Sequence, residues 1–126
     1  MIEDITITGY TMRIIDKAHP FSAMLKSNNK TFIGTWKELW DDIDCNSRQT
    51  QIKLKKFLTD NSIVREFKVH GKDGKLMNRL ILNPFLFRGA SYSSQIAVVV
   101  FQDFIKEAIN MNTYPIRWLQ SIGYIQ

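Results

Sequence analysis

The sequence predicts an α+β fold, and three observations predict it. An acidic helical stretch with a capping signal is followed, after a short polar turn, by a cationic one. A run of strand-like residues then doubles back near Asp73-Gly74 as a β-hairpin, and the longest apolar-periodic stretch comes last, over positions 91–110. Two helices joined by a short turn and followed by a basic hairpin are the arrangement of a winged helix-turn-helix. The expectation is therefore a winged helix-turn-helix domain with an N-terminal arm over residues 1–90. A C-terminal helical extension over 91–126 then completes the core or forms a dimer.

Composition bounds the function classes. With 126 residues, 44% of them hydrophobic, the chain is the size of one domain and apolar enough to bury a core. A single cysteine, Cys45, forbids an internal disulfide, and no charged-apolar-small leader opens the chain, so a cytoplasmic location is expected. No apolar run approaches the roughly 18–20 residues of a membrane span. His19 and His70 are far apart and only one cysteine is present, which leaves no recognisable metal cluster.

Taken in order, the chain opens with Ile5 and Ile7 alternating with Thr6 and Thr8, which predicts a short strand or extended arm over 2–10, ended by Gly9. Over 11–26, Met12, Ile15, Ala18, Phe21, Met24 and Leu25 recur at helical spacing. Proline lacks a backbone donor, so that helix should break or restart at His19-Pro20. With no partner nearby to tune it, His19 reads as a packing residue or a cap rather than a catalytic base. Ser27-Asn28-Asn29-Lys30 is a turn cluster, and Thr31-Phe32-Ile33 suits a short strand.

Thr35 with Glu38 three residues on is a capping box, and Trp36, Leu39, Trp40 and Ile43 form the apolar stripe of the helix it starts. Glu38, Asp41, Asp42 and Asp44 occupy its polar side. Lacking the glycine turn and alternating spacing of a calcium loop, they read as a solvated acidic face that a polyanion would repel. Asn46 or Ser47 caps the next helix, with Gln49 closing a box on Asn46. That helix runs to about Thr59 on an inward face of Leu54, Phe57 and Leu58.

The hairpin spans 65–83 and admits two registers. A loop of Asp73-Gly74 sets Phe67 opposite Leu80 and Lys68 opposite Arg79; a loop of all four residues 71–74 sets Glu66 opposite Arg79 and Val69 opposite Leu76. The second pairs opposite charges and is preferred. Pro84 ends the ladder, and the aromatics after it should fold onto the core. A long helix over 91–110 and a short one entered at Pro115 complete the chain; Phe101 and Ile105 broaden the apolar face enough to suggest a second subunit.

Charge points to the partner. Positions 47–80 hold nine basic residues against three acidic ones, a net +6, while the remainder holds eight basic and nine acidic, a net −1. Such local basicity suits a polyanion, because neutralising phosphates releases condensed counterions. The N-terminal residues of the second helix of a helix-turn-helix meet base edges, arginine matching guanine and glutamine adenine, so Arg48, Gln49 and Gln51 are the base-reading candidates. Ser47, Thr50, Lys53, Lys55 and Lys56 on the helix, with Lys68, Lys72, Lys75 and Arg79 on the hairpin, are the phosphate-binding candidates.

Ser47-Arg48-Gln49-Thr50 through Lys56-Phe57-Leu58, then Asn61-Ser62-Ile63-Val64, then Leu80-Ile81-Leu82-Asn83-Pro84-Phe85-Leu86-Phe87 with Arg88-Gly89 resemble the winged-helix replication proteins of Gram-positive plasmids (the RepL type) and related phage proteins. The resemblance covers roughly residues 31–104, and its most specific piece is the hydrophobic strand ending in Asn-Pro-aromatic. It departs from the winged-helix pattern at Gln51 and Lys55, where apolar core residues are usual. It implies a DNA-binding protein of phage or plasmid origin that recognises an origin or operator, without implying catalysis.

The leading expectation is thus a sequence-specific binder of double-stranded DNA, acting as replication initiator or transcriptional regulator. A homodimer through the C-terminal helices would fit it, and no membrane association or cofactor is expected. The alternative is a degenerate winged helix used as a protein-interaction module against a host or phage factor, supported by the two tryptophans of the acidic helix and the apolar C-terminal helices. No paired carboxylates, nucleophile-base set or phosphate loop support an enzyme, and no catalytic residue is assigned.

Overall fold

A computed structural model describes residues 5–20, 22–87 and 95–110. Helices and one antiparallel hairpin follow in the order α1 (Ile5–Asp16), α2 (Trp36–Asp42), α3 (Arg48–Asp60), β1 (Val64–His70), β2 (Leu76–Leu82), α4 (Pro84–Phe87), α5 (Gln95–Val100) and α6 (Gln102–Asn110), a mixed α+β architecture.

The N-terminal segment corrects the expectation of a strand or extended arm. It is helical from Ile5, because Ile7, Thr11 and Ile14 form a buried stripe at helical spacing that packs into the main core, while the alternating threonines suggested a pleat. Thr11 is satisfied inside the helix by donating to the Ile7 carbonyl at 2.8 Å.

The helix expected over 11–26 also ends early, at Asp16. The chain instead folds back through a turn in which the His19 ring nitrogen Nδ1 accepts from the Ser22 amide at 3.2 Å, and residues 23–25 run along the outer edge of β2. The Leu82 amide donates to Ala23, the Leu25 amide to Leu80, and the Leu80 amide to Ile33, which covers a sheet edge that would otherwise be open. Phe32 joins this layer through a bridge to Lys26, so the short strand expected at 31–33 is reduced to bridge-like pairing.

Both helices of the central pair begin and end by the same devices. The Thr35 hydroxyl accepts from the Glu38 amide and starts α2; the Ser47 hydroxyl accepts from the Thr50 amide at 3.4 Å and starts α3, so Ser47 rather than Asn46 is the cap. At their ends, Asp44 (φ 57°) and Ser62 (φ 54°) take the left-handed position. Cys45 then donates to Trp40 and Ile63 to Leu58, which closes a Schellman motif on each helix.

Neither expected hairpin register is adopted. Val64 pairs with Leu82, Phe67 with Arg79 and His70 with Leu76, one residue displaced from both alternatives. The cause is a three-residue loop, Lys72-Asp73-Gly74. Gly71 and Lys75 close it at 2.8 Å, the Gly74 amide reaches back to the Gly71 carbonyl at 3.0 Å, and Gly74 sits at φ +79°, where a side chain would be strained. Glu66 consequently faces Leu80 rather than Arg79, and its carboxylate accepts the indole N–H of Trp36 instead.

Alternation along the strands gives the hairpin two buried faces. Val64, Leu80 and Leu82 join Ile14, Leu25, Ile33, Leu39, Leu54 and Leu58 in the main core beneath α1, α2 and α3. Ile81, with Phe67 at its margin, packs on the other face against Ala23, Phe85, Ala97, Phe101 and Ile105. Truncating a fully buried leucine such as Leu54 or Leu58 in such a core costs about 2–5 kcal/mol. The long helix expected over 91–110 is interrupted at Phe101, between α5 and α6, and its ring fills the second core. Positions 91–94, with their candidate caps, and the short helix expected after Pro115 lie outside the described residues.

Candidate nucleic-acid interface

The cationic surface is built on α3 and the hairpin. Helix α3 buries Leu54 and Leu58 and half-buries Gln51 and Phe57, so its opposite face presents Arg48, Gln49, Ile52, Lys53, Lys55 and Lys56 to solvent.

What orients α3 is the turn before it, over 43–47. Arg13 of α1 donates to the Ile43 carbonyl at 3.2 Å, and the Gln51 amide nitrogen donates to the Cys45 carbonyl at 2.7 Å. Two peptide oxygens, at the C-cap of α2 and in the turn after it, are thereby satisfied by side chains from the flanking helices. Gln51, a base-reading candidate, thus has one of its amide groups committed to the turn, and this explains a polar residue at a position where apolar packing is usual. Cys45 is buried in the same turn, and burial pushes its thiol pKa up.

Lys55, the second departure, is explained by aromatic contact. Its ammonium lies 5.5 Å from the centroid of the Trp36 ring, which itself stacks on Trp40 at 5.5 Å. Both tryptophans are buried in the main core, so they offer little exposed surface on α2.

The remaining candidates divide by how far they are engaged. Lys53 is exposed on α3, while Lys56 pairs with Asp60 one turn on at 2.8 Å, which raises its pKa through that hydrogen bond and the attraction of the carboxylate. Ser47 and Thr50 are tied to each other as cap and capped amide. Lys72 and Lys75 stand exposed at the loop, Lys68 is exposed on β1 opposite Asn78, and Arg79 is half-buried with its guanidinium 5.4 Å over the Phe32 ring. Arg65, part of the same basic segment, lies on the face of the hairpin that carries Phe67 and Arg79, away from Lys68, and is held by Asp103.

Two acidic residues of α2 have partners of their own. Asp42 forms an ion pair with Lys17, just past the end of α1, and accepts from the Asn28 amide, and Glu38 closes the cap with Thr35. Among the described residues no group of three or more histidines, cysteines or carboxylates is placed to hold a metal ion, and no helix is long and apolar enough to cross a membrane.

One residue of this surface escaped the sequence reading. Ile52 is 60% exposed, and its neighbours at helical spacing are Arg48, Gln49, Lys55 and Lys56. The signal was present in the periodicity: once Leu54 and Leu58 define the inward face, position 52 falls on the outward one.

Comparison of the chain with protein-family models, with curated proteins and with solved structures finds no match to any of them.

Proposed function

We propose that this protein is a winged helix-turn-helix protein that binds duplex DNA, with α3 in the major groove and the β1–β2 loop against the backbone. The observation that carries the reading is the exposed face of α3, where Arg48, Gln49, Lys53, Lys55 and Lys56 stand together on a helix whose other side is locked into the core. Lys72 and Lys75 add a second cationic point at the loop, and two of the carboxylates of α2 are engaged elsewhere, Asp42 by Lys17 and Glu38 by Thr35.

Arg48 and Gln49 are the leading base contacts in this reading; Lys53, Lys68, Lys72 and Lys75 meet phosphates. A replication initiator or a transcriptional regulator of phage or plasmid origin is the corresponding role. Ile96 and Val99, exposed on α5, offer a surface for a second copy, which light scattering would detect.

Affinity for a random 30-base-pair duplex, measured against salt concentration, tests the proposal. Binding should weaken steeply, with a log–log slope of about −0.9 for each phosphate neutralised. A flat dependence, or no retention at low salt, would sink it.

A second reading, a protein-interaction module, keeps support from Ile5 and Met12, which are exposed on α1. It predicts a stable protein complex and no duplex binding.

A further inference from the structure

Resting on the duplex-binding reading above, we infer that Ile52 is a specificity residue that recognises the 5-methyl group of thymine in the major groove. Isoleucine is a costly choice at this position. It is β-branched, which lowers helix propensity, and at 60% exposure it recovers little from burial in the free protein. A lysine, glutamate or glutamine there would serve a merely solvated face better.

Its surroundings define what it meets. Arg48 and Gln49 lie one turn before it, Lys55 and Lys56 one turn after, and all four are exposed. A ring of cations and an amide around one branched apolar side chain does not suit a hydrophobic protein partner, which would have to desolvate those charges. It suits a polyanion that carries an apolar group at its centre. The thymine methyl is the apolar group that base edges display in the major groove, and an aliphatic side chain, having no donor or acceptor, reads nothing else there. Arg48 and Gln49 would read hydrogen-bonding edges beside it, so specificity would combine polar and apolar contacts along a single turn of α3.

The test uses the duplex sequence that the full chain selects from a random pool, with each thymine replaced in turn by deoxyuridine, which keeps Watson–Crick pairing and lacks the methyl. Wild-type protein should lose about fourfold in affinity at one or two positions, the size expected for burying one methyl group. Ile52→Ala should bind the thymine duplex more weakly and show no further loss on the uracil-containing one. Because Ile52 is outside the core and alanine is the better helix former, thermal unfolding of Ile52→Ala should match or slightly exceed the wild type. Thymines that all tolerate uracil, a loss that is the same in both proteins, or no enriched motif at all would overturn the inference while leaving salt-dependent DNA binding in place. Failure to retain any duplex at low salt would overturn both.

Discussion

Arg65 of β1 and Asp103 of α6 meet as a two-point guanidinium–carboxylate pair, at 2.5 and 2.9 Å, and this pair ties the hairpin to the C-terminal helices. The same guanidinium donates to the Val100 carbonyl at 2.9 Å and to the Ser62 hydroxyl at 3.0 Å, and lies 4.9 Å over the Phe101 ring. One side chain thus spans the end of α3, the hairpin and the helices packed beneath it.

Hydrogen bonding to Arg65 holds the Asp103 carboxyl below its usual pKa, with burial opposing. A carboxylate depressed in the folded state contributes stability that is present above its unfolded pKa of about 3.9 and lost as pH falls through the folded value. Asp103 is 70% exposed, so solvent screening limits the pair: Asp103→Asn should cost about 0.5–1 kcal/mol at neutral pH. Arg65→Ala should cost more, about 2 kcal/mol, because the carbonyl and ring contacts go with it. Urea denaturation from pH 7 to pH 3 checks both, since the difference between wild type and Asp103→Asn should shrink towards acid.

Asn83 is fully buried; it donates from Nδ2 to the Ser62 carbonyl at 2.9 Å and accepts at Oδ1 from the Phe85 amide at 3.0 Å. Asn83→Ala strands both partners and should cost about 2–4 kcal/mol. Asn83→Asp keeps the acceptor for Phe85 but loses the donor, so it too should be destabilised in denaturant titrations.

A methyl group at Gly34 would sit 2.8 Å from the Asn78 carbonyl oxygen, a backbone atom of β2 that cannot swing away. Gly34→Ala should therefore lower stability by about 1–3 kcal/mol in thermal or chemical unfolding. Asp44 presents the opposite case: it occupies the left-handed position at the end of α2 without being glycine, so Asp44→Gly should raise stability by about 0.5–1 kcal/mol.

Gln51→Ala removes the 2.7 Å hydrogen bond to the Cys45 carbonyl that braces the turn before α3, and should cost about 1 kcal/mol. The charge count on α3 is unchanged, so the salt dependence of duplex binding should keep its slope. A changed slope would mean that loosening the turn reorients the helix.

Lys53 and Lys56 should differ as phosphate contacts. Lys53→Ala should reduce the magnitude of the salt slope by about 0.9, whereas Lys56→Ala should have a smaller effect, because Asp60 already accompanies its charge. Asp60→Asn should release Lys56 and tighten binding at low salt, as fluorescence anisotropy would show.

What the sequence by itself determined was local. The Thr35 cap, the extent of α3, a hairpin with its loop before Lys75 and the break at Asn83-Pro84 all rest on interactions within a few residues, where side-chain chemistry and backbone preference act directly. Only the tertiary structure decided the rest. Ile5 to Thr8 alternate like a strand, yet burial of Ile7, Thr11 and Ile14 against the main core makes them a helix, because packing outweighs the small intrinsic preference of β-branched residues. The register turned on a single left-handed glycine, and Ala23 to Leu25 became a cover for β2 through hydrogen bonds to residues more than fifty positions away. The candidate surface followed the same division. That positions 47–80 are cationic is plain from composition, and the Lys56–Asp60 pair is local to α3, but the engagement of Arg65, Lys55 and Arg79 depends on Asp103, Trp36 and Phe32, each far in sequence from the cation it holds.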